Sequence, residues 1–213
     1  MTIRLVVAVP LLIVVACFGT KSDQSAVRQS GHAGSDSIEV VNGDTSHILP
    51  ADDWEVLSAQ RDARTTFVEC VRRFREHRSS QSDLSVKVRF AEATRDVGDS
   101  SVEHLWLEPL AINDSSVRGI VVNTPTDLRH VKYGDTVTVP SQQVSDWYAV
   151  DRDTLVGGFT IRLFRSRLTK AQRDSEDRHR PYVIVGNRTE EFIRLTRGAN
   201  RSAHISTGPP NER

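Results

Sequence analysis

The sequence has few cysteines and no excess of charge of either sign. Only two of its 213 residues are cysteine, and 28 basic side chains balance 28 acidic ones. This balance argues against a general nucleic-acid-binding protein, which normally shows a basic excess or stripe, so no nucleic-acid partner is predicted. The 7 histidines are scattered, without the paired spacing of a zinc site. Glycine motifs for phosphates or dinucleotides are missing too, so no metal or other cofactor is predicted.

Long apolar runs are also lacking, and the one near the start is too short to span a bilayer. It extends from Leu5 to Val15 after a positive charge at Arg4, which is the organisation of a signal peptide. The stretch Val14-Val15-Ala16-Cys17 that ends it resembles the lipobox of bacterial lipoproteins, in which the cysteine is acylated and becomes the first mature residue. The alternative is ordinary cleavage near Gly19, which would release a soluble exported protein.

The lipobox predicts the organisation of the whole chain. Residues 1–16 are then a signal peptide, and residues 17–50 are a lipidated Cys17 followed by a flexible tether rich in Ser, Gly, Asp and Asn. A folded domain is predicted over 51–197, with a disordered tail over 198–213. Palmitate-type acyl chains on Cys17 would hold the protein on the membrane, facing the periplasm or the exterior. Phe18, in place of an aspartate after the cysteine, favours the outer membrane if the cell has one.

Helical spacing precedes alternating spacing within the predicted domain. Apolar residues recur at helical intervals and predict one amphipathic helix over about residues 53–77. Cys70 falls beside its apolar stripe, which favours a buried, inert thiol over a nucleophile. From Val86 onward the period is two, and short runs predict six strands, the last being "GGFTIRLF". The fold class predicted is α+β, with one N-terminal amphipathic helix packed on a strongly twisted antiparallel sheet or partial barrel of about six strands.

Beyond Phe164 the pattern is weaker. The charged run "RSRLTKAQRDSEDRHR" predicts a short exposed helix or loop. "PYVIVG" predicts an added edge strand, and "EEFIRLTRG" a short helix or strand.

A series of short segments resembles the YegJ-like family of bacterial domains of unknown function. The segments are "VKVRF", "EHLWL", "GIVVNTP", "YGDTVTV", "SDW" and "GGFTIRL", and their order and spacing together carry the resemblance. The resemblance covers the middle half of the chain and implies a compact α+β domain. It implies no established activity.

Two groups of polar and aromatic residues are candidate binding sites. On the strand "EHLWLEPL", His104, Trp106 and Glu108 share one face, with Glu103 on the other. A histidine and a carboxylate on one face could perform acid–base chemistry, although a ligand-facing or partly exposed strand is the simpler interpretation. Asn123 follows a strand and precedes a proline, which favours turn chemistry over substrate binding.

The second group lies around "SDW". If "VSDWYAV" and "GGFTIRLF" form a hairpin turning around Asp153 and Thr154, Asp146 would lie near Arg162 and could form a cross-strand ion pair. Trp147 would then anchor the core beside two glycines. This interpretation is structural and requires no chemistry.

Three classes of function remain open from the sequence. The first is a lipid-anchored, non-catalytic envelope domain that binds a protein or small ligand. The second is a hydrolase-type enzyme with a cleft near Glu103, His104, Glu108 and Asp146. The third is a structural envelope protein. Candidate binding residues for the first class are His104, Trp106, Glu108, Asn123, Asp146, Trp147 and Arg162.

The lipobox gives a direct prediction. Replacing Cys17 with alanine should move the protein from the membrane fraction to the soluble fraction, because the acyl chains would have no attachment site. Fractionation followed by immunoblotting measures the shift. A cleaved Cys17→Ala protein that still needs detergent for extraction would contradict the lipid anchor.

Overall fold

The computed structural model describes residues 37–41, 44–48, 53–76, 84–93, 100–126 and 128–205. It divides the chain into two units, Met1–Asp53 and Trp54–Arg213. In the first unit, β1 (Ser37–Val41) and β2 (Asp44–Ile48) pair as an antiparallel hairpin. This hairpin falls within the segment that the sequence predicts as a tether. The predicted signal peptide and Cys17 lie outside the described residues.

The second unit is built on a six-stranded antiparallel sheet. Its strands are β3 (Leu84–Ala93), β4 (Ser100–Ile112), β5 (Ser116–Val121), β6 (Thr136–Pro140), β7 (Val144–Asp151) and β8 (Thr154–Gly157). They lie in the order β6-β5-β4-β3-β7-β8. Only the 3-10 turn Ser141–Gln143 connects β6 to β7, and it contacts both β3 and β5. Such a short connection across the sheet requires strong curling, which agrees with the predicted twisted sheet.

The described helices are α1 (Trp54–Thr65), α2 (Phe67–Glu76), α3 (Phe159–Arg167), α4 (Lys170–His179) and α5 (Arg188–Ile205). Both α1 and α2 pack on β7, and α1 also contacts α3. The N-terminal helical segment therefore covers the sheet, and the predicted α+β class is confirmed.

The predicted single helix is divided at Thr66, which is buried at the joint between α1 and α2. The Thr66 hydroxyl donates to the Asp62 carbonyl oxygen at 2.8 Å and accepts from the Trp147 indole Nε1 at 3.2 Å. The same indole nitrogen donates to the Ala63 carbonyl at 3.1 Å. The break thus places a hydroxyl and a carbonyl where the buried indole needs acceptors.

The core contains the apolar residues that the helical spacing and the alternating spacing of the sequence predict to be buried. The helical stripe is buried, as are the alternating residues of β3 and β4: Val56, Ala63, Phe67, Cys70, Val71, Phe74, Val86, Val88, Leu105 and Leu107. Burial raises the pKa of the Cys70 thiol well above its usual value, which keeps it in the unreactive form. Trp147 is fully buried in this core.

The sixth strand is the main error of the sequence prediction. "GGFTIRLF" is not a strand: Phe159–Arg167 form helix α3, and the true sixth strand is β8, which ends at Gly157. The β7–β8 hairpin turns through Arg152 and Asp153, whose φ angles are 47° and 65°. Two successive residues of positive φ match the twist of a tight hairpin.

Other boundaries differ less. Strand β4 continues past Pro109 to Ile112, with a register irregularity between Pro109 and Ala111; the sequence predicts that it ends near this proline, because proline cannot donate to a ladder. "PYVIVG" contributes a single parallel bridge between Val183 and Thr154 beside edge strand β8. The charged run after Phe164 contains helix α4, whose N-terminus has a capping box of Thr169 and Gln172. Helix α5 reaches Ile205 and so enters the segment predicted as a disordered tail.

Two tryptophans provide a matched pair for testing the core. Replacing Trp147 with alanine should reduce the free energy of unfolding by about 3–5 kcal/mol, because it removes a large buried ring and leaves a cavity. Trp54→Ala should change it by less than about 0.5 kcal/mol, because this tryptophan is 72% exposed on α1. Urea unfolding measures both. Equal effects of the two substitutions would contradict the packing described here.

Candidate functional site

The Asp146 carboxylate accepts four hydrogen bonds. It is fully buried on β7. Its Oδ1 accepts from the Trp147 amide at 2.8 Å and the Phe159 amide at 3.0 Å. Its Oδ2 accepts from the Thr160 amide at 2.8 Å and from the Thr160 hydroxyl. Asp146 therefore caps the N-terminus of α3, where a carboxylate satisfies amides that have no partner within the helix.

Gly157 and Gly158 allow β8 to turn into α3 beside this carboxylate. Both adopt positive φ, 74° and 67°, which L-residues with side chains rarely adopt. A Cβ on Gly157 would lie 2.6 Å from the Trp147 carbonyl oxygen. We call the set of Asp146, Trp147, Gly157, Gly158, Phe159 and Thr160 the Asp146 corner.

The predicted ion pair between Asp146 and Arg162 does not form as a cross-strand contact, because Arg162 lies on helix α3. The buried Arg162 guanidinium instead donates to the carbonyls of Gly157 and Leu155, each at 2.8 Å, and to that of Val185 at 2.6 Å. Its carboxylate neighbour is Glu191 of α5, at 3.7 Å. Glu191 also accepts from the Gly157 amide at 2.7 Å. Arg162 and Glu191 thus join β8, α3 and α5.

His104, Trp106 and Glu108 share one side of β4, as predicted from the alternation. The intervening Leu105 and Leu107 are buried, whereas these three side chains are half-buried. Lys87 of β3 lies directly opposite Trp106. We call the outer face the side of β3, β4 and β7 that carries Lys87, His104, Trp106, Glu108 and Tyr148.

Aromatic rings form a row across the outer face. The Trp106 and Tyr148 ring centroids are 5.1 Å apart in an edge-to-face arrangement, and those of Tyr148 and Tyr182 are 5.9 Å apart. The Lys87 ammonium lies 5.2 Å from the Trp106 ring centroid, and the Arg180 guanidinium 6.0 Å from that of Tyr182. The row therefore has a cation at each end, within the range of a cation–π interaction.

Glu103 and Asn123 hold loop backbone. The Glu103 carboxylate accepts from the Thr126 amide at 2.9 Å and the Leu128 amide at 3.0 Å. The Asn123 side-chain oxygen accepts from the Trp106 amide at 2.7 Å, in place of the next rung of the β4–β5 ladder. Asn123 therefore has a structural contact with the neighbouring strand β4, whereas the sequence predicted a bond within its own turn.

The four residues of the hypothetical catalytic cleft are not brought together. Glu103 lies on the opposite side of β4 from His104 and Glu108, and Asp146 is occupied by four donors. His104 and Glu108 are four residues apart on one strand, which separates them by about 13 Å. Among the described residues, no group of three His, Cys, Asp or Glu side chains is placed to hold a metal ion.

Sequence reasoning missed Lys87, Tyr148, Tyr182 and Glu191. The alternation along β3 and β7 already indicated which side of its strand each of Lys87 and Tyr148 occupies. The pairing of β3 with β4 and β7 was also needed to show that both lie on the side that carries Trp106. Tyr182 and Glu191 gave no such signal, because the contacts of Tyr182 with Tyr148 and of Glu191 with Gly157 each join residues that are 34 apart in the chain.

The Asp146 cap predicts a moderate loss of stability on amide substitution. Asp146→Asn should cost about 1–3 kcal/mol, because an NH₂ group would face a donor from Thr160 and leave it without an acceptor. Burial raises the pKa of Asp146, against the Thr160 hydrogen bonds that lower it. The wild-type carboxyl therefore contributes most at acidic pH, and the difference between wild type and the amide variant should narrow as the pH rises through the folded-state pKa.

Urea unfolding between pH 3 and pH 7 tests this prediction, with Asp114→Asn as the control because the Asp114 side chain is 85% exposed. We expect a change of less than about 0.5 kcal/mol for the control. A variant Asp146→Asn as stable as wild type at every pH would show that the cap is dispensable.

Comparison with known proteins gives two curated relatives. A protein of Neisseria meningitidis serogroup B, named "Putative ankyrin repeat protein", is 33% identical over 129 residues, which are 59% of this chain and 50% of that protein. The uncharacterized protein YegJ of Escherichia coli K12 is 30% identical over 59 residues, 28% of this chain and 39% of YegJ. The chain thus spans half or less of these relatives. No solved structure matches.

The family comparison covers more of the chain. Residues 53–180 match the family described as "Uncharacterized protein conserved in bacteria (DUF2314)". The matched range contains α1 to α4 and the whole six-stranded sheet, and the relation to YegJ agrees with the resemblance noted in the sequence. The chain belongs to this bacterial DUF2314 family, whose function is uncharacterised.

Proposed function

We propose that the protein is a lipid-anchored envelope protein whose α+β domain binds a ligand or a partner protein without catalysing a reaction. The observation that carries this proposal is the aromatic row of Trp106, Tyr148 and Tyr182 on the outer face, with Lys87 and Arg180 at its ends. Tryptophan, tyrosine and arginine are the residue types enriched where binding energy is concentrated.

The strands that carry Trp106 and Tyr148 are rigid, which suits the aromatic row to binding. Trp106 lies on β4 and Tyr148 on β7, and both strands pair with β3 between them. The other side of these strands is the buried core, which fixes the backbone positions of both residues. Binding residues on strands lose less conformational entropy than residues on loops when a ligand arrives. Each ring is half-buried and keeps a polar atom, which suits contact with a ligand that is partly polar.

The geometry gives less support to a hydrolase. The carboxylates of Glu103 and Asp146 accept backbone amides of the domain itself. Burial, with the nearby cations, lowers the pKa of His104 to about 4, which makes it a weak general base at neutral pH. Binding by the outer face requires none of these groups to react.

The membrane association proposed here rests on the acyl chains of Cys17. No helix among the described residues is long and apolar enough to cross a bilayer. Residues 18–50, predicted from the sequence as a tether, would connect the acylated Cys17 to the domain.

The aromatic row predicts that one ring controls binding. Detergent-solubilised full-length protein should retain a specific component of an envelope extract, identified by mass spectrometry of both proteins and small molecules. Trp106→Ala should reduce retention by at least about tenfold, the effect of losing one residue that contributes more than about 1.4 kcal/mol. The variant should keep its near-ultraviolet circular dichroism apart from the lost indole.

Trp54→Ala is the matched control, because it removes an exposed tryptophan from α1. It should leave retention unchanged. Equal retention by wild type and Trp106→Ala, or equal loss in both variants, would contradict binding through the outer face.

A further inference from the structure

Positive charge is concentrated around His104 at one end of the outer face. Arg89 lies directly opposite His104 in the β3–β4 register, and Lys87 lies opposite Trp106, one position along the same side. Arg64 of α1 reaches the beginning of β7, where its guanidinium is 3.5 Å from the Val144 carbonyl oxygen. We call Arg64, Lys87, Arg89 and His104 the His104 cluster. The chain as a whole is neutral, so this positive region is local.

The carboxylate opposite Lys87 is not available to accept hydrogen bonds from the cluster. Asp146 lies directly opposite Lys87 in the β3–β7 register. Both of its oxygens, however, accept from the amides of Trp147, Phe159 and Thr160. Its lone pairs are therefore directed at the α3 N-terminus, and it acts on Lys87 only as a nearby charge that opposes the effect of burial on the lysine pKa.

His104 has an unsatisfied ring. Its Nδ1 is buried and has no hydrogen-bond partner among the described residues. Burial, followed by the charges of Lys87, Arg89 and Arg64, lowers the pKa of His104 to about 4. The imidazole is therefore neutral at pH 7 and carries one N–H donor. A buried polar group without a partner is uncommon in a folded protein and calls for an explanation such as a missing ligand.

We propose that the His104 cluster binds an oxyanion of the ligand, a carboxylate, phosphate or sulfate group, while the aromatic row contacts the rest of that ligand. This assignment rests on the proposed binding function of the outer face. An anion would lie among cations that repel one another and would accept hydrogen bonds from Lys87, Arg89 and the His104 ring. The Trp106 ring holds the Lys87 ammonium in place before the anion arrives, which lowers the entropic cost of binding.

The proposal gives His104 a measurable signature. An anion beside the ring favours the charged imidazolium and so raises the pKa of His104 from about 4. By linkage, binding of the anion and protonation of His104 strengthen each other. Burial sets this titration first, followed by the charges of Lys87 and Arg89 on β3 and of Arg64 on α1. The carboxyl of Asp146 on β7 lies opposite Lys87 in the strand register.

Sulfate and trifluoroacetate are suitable probes, because both stay ionised across the titration and represent phosphate-like and carboxylate ligands respectively. The His104 ring resonances of the full-length protein would be followed by NMR from pH 3 to pH 8 in each salt, with chloride at equal ionic strength as reference. We expect at least one probe to raise the His104 pKa by about one unit or more. The probe with the larger shift identifies the class of oxyanion.

Lys87→Met and Arg89→Gln should each remove most of the shift, and either variant suffices if the other fails to fold. Arg178→Gln is the matched control, because it removes an exposed arginine of α4 and should leave the shift unchanged. A His104 pKa that is the same in all three salts, or a shift that survives both cluster substitutions, would overturn the oxyanion site.

The two proposals fail separately. If neither anion shifts His104 but Trp106→Ala still abolishes retention from the envelope extract, the outer face binds and the oxyanion site is wrong. If sulfate or trifluoroacetate binds through Lys87 while retention does not depend on Trp106, the oxyanion site stands and the proposed binding function of the aromatic row is wrong.

Discussion

The domain depends on one buried carboxylate. Asp146 joins the middle of β7 to the first turn of α3 through the amides of Phe159 and Thr160. The chain leaves β8 through Gly157 and Gly158, and neither glycine has a side chain that could cap α3. Without Asp146, the first amides of the helix would therefore lack a side-chain acceptor. The position of α3 then fixes Arg162, and Arg162 in turn organises the carbonyls of β8 and the segment before α5. One interaction thus sets the arrangement of three elements.

This arrangement reaches beyond the range that matches the family. The match ends at residue 180, but Glu191 of α5 is buried beside Arg162 and accepts from the Gly157 amide. The Glu191 carboxylate also pairs with Arg194 of α5 at 2.7 Å, so these contacts hold a charged residue of α5 in the interior, against β8 and α3. Helix α5 is therefore part of the folded domain in this chain. Tyr182, which completes the aromatic row, also lies just past the matched range.

The same strands serve both structure and binding because a strand alternates its side chains. On β7, Trp147 points into the core and bonds to α1, whereas Tyr148 joins the outer face. On β3, Val86 and Val88 are buried and Lys87 between them reaches the Trp106 ring. The core side keeps the strands in register, and the register places the lysine, the histidine and the aromatic rings beside one another.

Local periodicity explains which parts of this fold could be predicted. The apolar stripe of α1 and α2 and the alternation of β3 and β4 depend on nearest neighbours along the chain, so the sequence showed them. Helix α3 was mistaken for a strand because Phe159, Ile161 and Leu163 alternate with polar residues, whereas its cap comes from Asp146, thirteen residues earlier. An arginine is usually exposed, but Arg162 is buried, because main-chain carbonyls accept hydrogen bonds from its guanidinium in the interior. The outer face was predicted on β4 alone, since its partners on β3 and β7 appear only once the strand register is known.

Native-state amide hydrogen exchange, measured by NMR, tests the role of Asp146 most directly. If this carboxylate holds the domain together, the amides of Phe159 and Thr160 should exchange only through global unfolding, with the same free energy as the Val86 amide in the central strand β3. Exchange of Phe159 and Thr160 through a low-energy local opening, while Val86 stays protected, would show that the start of α3 is not fixed by the cap and would contradict this account.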